Sequence, residues 1–319
     1  MTKYSRGRLL LAAALGMGAY LAALAVVDRQ QLLDAMRVLS PATLCGVFAL
    51  SLCNYGLRVL RWDVYLRAIA PAVPLSRQGL YYVAGFAFTV TPGKLGEAVR
   101  GVYLHRHGVS YAKTTAVLLV ERLLDLMVVA LLALLWLSRD HRGAWFAAGF
   151  FVAVAALAVL VSRPAAQAWM QAAAARRSGR MAHALEFLAR SLRDAASLLT
   201  LPRLAFGLVL GLIAWGAEGV GLYLLVHALG IPLGPVGAVG AYSLGVLAGA
   251  ASFIPGGLGG AEAAMSLLLG LAGASAAAAL TATLVCRLAT LWFAVALGAL
   301  AMLVLELMGA PLPQPEASA

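Results

Sequence analysis

This sequence predicts an all-α fold: a polytopic membrane helical bundle of about six full spans with two re-entrant helical hairpins, arranged as an inverted repeat. Three observations carry the prediction. Of 319 residues, 63% are hydrophobic and only 12% charged, with a mean hydropathy of +0.90, far outside the range of soluble domains. Several apolar runs are long enough, at about 1.5 Å per residue, to cross a hydrocarbon core of roughly 30 Å. Two further runs are apolar but cut by Pro92-Gly93 and by Pro255-Gly256-Gly257, and backbone opened at membrane depth is tolerated only where protein or a watery cavity surrounds it.

The elements follow in order. Lys3, Arg6 and Arg8 precede the first run, 9–27. Ala23-Leu24-Ala25 resembles a signal-peptide cleavage site, but signal cores are shorter, so the run reads as a first span. The second span covers 42–62 and the third 115–137, with the first broken segment, 79–107, between them. Its first arm, Gly79 to Thr91, is only about 20 Å long as a helix, too short to cross. A fourth span is placed at 144–162. Residues 163–203 differ in kind: Ala-rich stretches flank Arg176-Arg177-Ser178-Gly179-Arg180, and Met181 to Leu199 is amphipathic, as in a basic cytoplasmic linker lying along the membrane. A fifth span, 204–229, a second broken segment, 237–273, and a last span, 277–306, complete the bundle. Residues 1–310 form one transmembrane domain on this reading, with halves at 42–137 and 204–306, and the Pro-rich tail 311–319 is expected to be disordered.

Loops rich in Lys and Arg stay cytoplasmic. The N-terminus, the segment with Arg67 and Arg77, the stretch with Arg106 and Lys113, and the linker arginines fall on one side once both broken segments are counted as re-entrant. Both termini are therefore expected in the cytoplasm and the protein in the cell (inner) membrane. The opposite loops, 28–41, 138–143 and 230–235, are short and charge-balanced or uncharged. The Pro92 hairpin then enters from the cytoplasm and the Pro255 hairpin from outside, which inverts the two halves.

Composition and spacing exclude several classes. The formal charge of +11 is not arranged as an aromatic-interleaved stripe, so nucleic acid is not the expected partner. Cys45, Cys53 and Cys286 lie in apolar runs with no CxxC spacing, and His105 and His107 are two apart, on different helix faces. No metal site and no cofactor is expected. Gly256-Gly257-Leu258-Gly259-Gly260 follows no strand and lacks the Lys-Ser/Thr of a nucleotide loop, so its glycines are expected to serve a tight turn and close helix approach.

The candidate site is the set of charges that should not be in a bilayer, where each costs at least ~2.5–3.5 kcal/mol. Asn54, Arg58 and Arg61 are spaced four and three, on one helix face, with Trp62 beside it at the expected membrane interface. Glu121 and Asp125 are one turn apart, and Arg122 reaches Asp125 at i,i+3. Glu97 and Arg100 share that relation, close behind Lys94. The second half carries Glu218, Glu262 and Arg287. The structural alternative is a set of ion pairs that fix helix register. Breaks are expected at Pro92, Gly93 and Gly96, and at Pro255, Gly256, Gly257 and Gly259.

Four ordered motifs carry a resemblance: Asn54-x3-Arg58-x2-Arg61-Trp62; Pro92-Gly93-Lys94-Leu95-Gly96-Glu97-x2-Arg100; Glu121-Arg122-x2-Asp125; and Pro255-Gly256-Gly257-Leu258-Gly259-x2-Glu262 with Arg287. They resemble the flippase-like membrane family, the transmembrane region of lysylphosphatidylglycerol synthases and related stand-alone membrane proteins. The resemblance implies lipid translocation. The chain ends at Ala319, so a stand-alone member without the soluble aminoacyltransferase domain is expected. The leading expectation is a non-enzymatic flippase that takes an anionic or phosphate-linked headgroup into a cationic cavity beside Arg58, Arg61, Lys94 and Arg100, with the carboxylates balancing its charge. The alternatives are a membrane-embedded transferase or hydrolase acting on a polyprenyl-phosphate lipid, or a non-catalytic partner of a lipid-modifying enzyme.

Overall fold

The structure, a computed structural model, describes residues 29–137 and 163–309 together with scattered positions between 145 and 159. The first span expected at 9–27, most of the span at 144–162 and the tail at 311–319 lie outside the described residues. Twelve α-helices make up the described chain, and no strand occurs in it. They are α1 Arg29–Val38, α2 Pro41–Arg67, α3 Leu75–Gly85, α4 Arg100–His105, α5 Tyr111–Leu137, α6 Pro164–Ala175, α7 Gly179–Leu198, α8 Leu201–Ala228, α9 Pro235–Ala251, α10 Gly260–Leu271, α11 Ala276–Arg287 and α12 Phe293–Leu307.

Helix starts follow ordinary capping chemistry. Ser40 caps α2 by accepting from the Thr43 backbone N–H, with Pro41 in the first turn, and Ser275 caps α11 through Ala278 N–H. Residues 28–41, expected as a loop, instead contain α1, where Arg37 pairs with Asp34 one turn away at 3.0 Å. Among the described residues, three helices are long and apolar enough to span a membrane: α2, α8 and the continuous helix Ala276–Leu307. The last of these joins α11 to α12 through a π-helical turn, Leu288–Trp292, that no sequence signal announced. Helix α5 has 27 residues, about 40 Å of length, and turns Glu121 and Asp125 inward.

Polarity is arranged inside out. Arg61 and Arg100 are among the largest fully buried side chains, while Leu52, Val209, Ile213, Leu300 and Leu303 on the long helices face outward, each at least half exposed. Water would reverse that arrangement; hydrocarbon favours it.

Packing crosses between the halves. Helix α2 lies along α8, α5 along α9, and α3 along α12. The linker helices α6 and α7 pair with each other, and α7 buries Ala189, Ser191, Ala195 and Leu198 as it packs on α5. Part of the amphipathic face expected to lie along the membrane is thus taken up by the protein itself.

Both Pro-Gly segments interrupt their helices. The first runs from α3 through a 3₁₀ turn, Phe86–Phe88, and a longer 3₁₀ stretch, Pro92–Val99, into α4. The second runs from α9 through the 3₁₀ turn Pro255–Gly257 into α10, which packs back against α9. The breaks touch each other, and Val90 and Leu258 pack with Leu291 and Trp292 of the π-turn.

Candidate functional site

Seven ionised side chains of the first half form one buried network. Helix α2 presents Arg58 and Arg61 to Glu121 and Asp125 of α5: Arg61 donates to Asp125 at 2.5 Å and Arg58 to Glu121 at 3.3 Å. The segment after Pro92 adds Glu97 and Arg100. Arg100 donates to Glu97 at 2.7 Å and to Glu121 at 2.9 Å, and Arg122 reaches Glu97 at 2.8 Å. Arg122 also lies 3.7 Å from Asp125, as the i,i+3 spacing predicted. Four arginines against three carboxylates leave this cluster one formal positive charge. Asn54, on the same face of α2, donates to the Ala214 carbonyl at 2.9 Å and ties α2 to α8.

Aromatic groups that sequence reasoning missed complete the network. Tyr82 donates to Glu121 and lies under Arg100, whose guanidinium carbon is 3.7 Å from the ring centre. Trp215 donates to Asp125 at 3.0 Å, and Thr89 to Glu97 at 3.1 Å. Trp215 had a usable signal, since it precedes Glu218 by three residues on α8; Tyr82 sits in an apolar run and had none. Trp62 is corrected: it is 2% exposed, inside the core 5.1 Å from the Arg100 guanidinium, not at a membrane interface.

The second half is sparser. Arg287, at the end of α11, donates through Nε to Glu262 and through Nη2 to the Gly256 carbonyl, each at 2.7 Å. It thereby clamps the Pro255 break to the first turn of α10, where Glu262 also meets the positive end of the helix dipole. Glu218 accepts from Tyr242. Tyr55 donates to the Thr290 carbonyl at 2.8 Å, within the π-turn.

A cavity of about 330 Å³ lies where the two clusters and the two breaks meet. Its walls include Arg58, Arg122, Asp125, Glu218 and Arg287, with Gly256 and Gly257 at the break. The wall is therefore mixed in charge, three arginines beside two carboxylates. Arg61, Arg100, Glu97, Glu121, Asn54 and Glu262 stand behind the wall, because each is spent on another helix. The side chains of Pro92, Gly93 and Lys94 lie outside the described ones. Within the network, the Nε groups of Arg58, Arg100 and Arg122, Nη1 of Arg61 and Oδ2 of Asp125 are buried with no hydrogen-bond partner, an unmet demand close behind the wall.

Buried ions enclosed by helices with leucine-covered exteriors define a polytopic helical membrane protein. The chain belongs to the family described as the lysylphosphatidylglycerol synthase TM region, whose sequence profile matches residues 9–298. It is also similar to a "UPF0104 membrane protein" of Methanothermobacter thermautotrophicus, 26% identical over 315 residues that cover 90% of this chain and 93% of the relative. The resemblance carried by the four motifs is thereby established at the level of family.

Proposed function

We propose that this protein carries a phosphate-linked lipid headgroup between leaflets, without an enzymatic step, through the cavity at the meeting of the two breaks. One observation carries the reading: three arginines, Arg58, Arg122 and Arg287, line one cavity, and the hydrogen bonding of Arg58 and Arg122 is incomplete, each keeping a buried, unpartnered Nε–H. Guanidinium N–H groups suit phosphate oxygens, and a buried donor without a partner is costly until a ligand supplies one. The acyl chains would stay in the bilayer, beside apolar wall residues such as Leu126 and Leu247.

Alternating access is the mechanism that fits. The two Pro-Gly segments act as re-entrant hairpins from opposite faces, with both termini cytoplasmic, and the halves form an inverted repeat. Reciprocal packing supports this: the first long helices of the halves pair (α2 with α8), and each half's last span packs on the other half's broken segment (α5 with α9, α12 with α3). The test is reconstitution in proteoliposomes with fluorescent phospholipid, comparing the intact protein with Arg122→Gln. Loss of one charge-assisted contact is expected to slow transbilayer movement by about tenfold or more. Equal rates for the two proteins would count against the reading.

A further inference from the structure

The cavity joins two clusters of unequal charge. The first-half network carries four arginines and three carboxylates, the second-half group one arginine and two carboxylates, Glu218 and Glu262. One side therefore holds a formal excess of one positive charge and the other of one negative charge, and five arginines balance five carboxylates overall among the described side chains of the two clusters. Each excess has an unmet hydrogen-bonding atom. In the first-half network these include the Nε groups of Arg58, Arg100 and Arg122, Nη1 of Arg61 and the Asp125 Oδ2; in the second-half group Glu262 Oε2, behind the wall, is buried without a hydrogen-bond partner, since only Oε1 meets Arg287.

We infer that the headgroup this cavity selects is zwitterionic, with its phosphate against Arg58 and Arg122 and a primary ammonium against Glu218. The inference rests on the transport reading above and narrows its substrate. Two physical points support it. A zwitterionic headgroup brings no net charge to membrane depth, whereas a monoanionic headgroup brings one. The wall around Glu218 also suits a cation: the carboxylate is held by Tyr242, and Tyr55 and Tyr242 line the same cavity, while the Trp215 ring already lies beside the Arg58 guanidinium. Ring faces and a carboxylate together recognise ammonium groups.

The experiment compares acyl-labelled phosphatidylethanolamine with acyl-labelled phosphatidylglycerol in proteoliposomes, for the intact protein, Glu218→Gln and Glu218→Asp. The ethanolamine lipid is expected to move about tenfold faster than the glycerol lipid in the intact protein. Glu218→Gln is expected to bring that ratio close to one, and Glu218→Asp, which keeps the anion, to retain a preference. If the intact protein moves the glycerol lipid as fast or faster, the inference is overturned and the transport reading stands. If the preference survives Glu218→Gln, the ammonium is not held by Glu218 and the inference fails. If neither lipid moves in a protein-dependent way, the transport reading itself falls, and the inference with it. The lipid comparison in the intact protein decides the matter even where Glu218→Gln does not fold.

Discussion

The two breaks share the pattern Pro-Gly-x-x-Gly and solve the same problem by different means. At Pro92 the chain continues as a 3₁₀ stretch, and Thr91 organises it: its hydroxyl donates to the Phe88 carbonyl and accepts from Gly96 N–H, both at 2.8 Å. Gly96 is needed for space, because a Cβ there would press on Thr91 and Phe88. At Pro255 the chain turns through left-handed backbone at Gly256 (φ 68°) and Gly257 (φ 66°), and the Gly256 carbonyl is satisfied by Arg287 from another helix. The first break is closed by its own residues and backed by seven interlocked ions. The second depends on glycine's freedom and on one arginine. Like motifs therefore do not imply like mechanics: the first side is built to be rigid, and the second has fewer ties to undo.

The largest test of that contrast is Arg100→Ala. It takes one arginine from both Glu97 and Glu121 and empties a fully buried volume against Tyr82 and Trp62, and a loss of about 3–5 kcal/mol is expected by thermal unfolding in detergent. Arg287→Ala, which strands Glu262 alone, is expected to cost less; an equal or greater loss would erase the proposed difference in rigidity. Next come the two tyrosine–glutamate contacts. A hydrogen bond to a charged group contributes about 1.5–3 kcal/mol. Tyr242→Phe is expected at the upper end of that range and Tyr82→Phe at the lower, since Glu121 keeps its arginines. Substitutions at the breaks are smaller and differ in kind. Gly256→Val is expected to cost about 1–2 kcal/mol and Gly256→Asn less, because Asn tolerates left-handed backbone. At Gly96, where space decides, Ala is expected to be milder than Asn. The smallest effect is at the exposed linker pair Arg190–Glu186, 3.7 Å apart: Arg190→Ala should change stability by at most ~1 kcal/mol.

Periodicity made one helix face of the site legible. Asn54, Arg58 and Arg61 at spacings of four and three share a face and are all buried, and Arg122 with Asp125 obeys i,i+3 as well. What linear spacing does not contain is the partner on another helix. Arg100 to Glu121, Trp215 to Asp125 and Tyr242 to Glu218 are 21 to 90 residues apart, and their pairing is decided by packing. Trp62 was misplaced for a related reason: an aromatic beside arginines reads as an interface anchor until a buried guanidinium is found over its ring. The α1 helix was read as a loop because its polar residues carry no apolar stripe of membrane length.

The π-turn at Leu288–Trp292 fixes the phase of the last span. In an unbroken α-helix, residues 287 and 298 would project within about 20° of each other, eleven steps of roughly 100° being close to three whole turns. An extra residue wound into one turn rotates the lower half by as much as about 100° against the upper. That rotation lets one rod serve two clients: Arg287 points to the Pro255 break, while Gly298, with no side chain, lets the backbone of Phe86 and Ala87 come against it. The span thus works as a camshaft, mechanically linking the two broken segments along a single continuous axis.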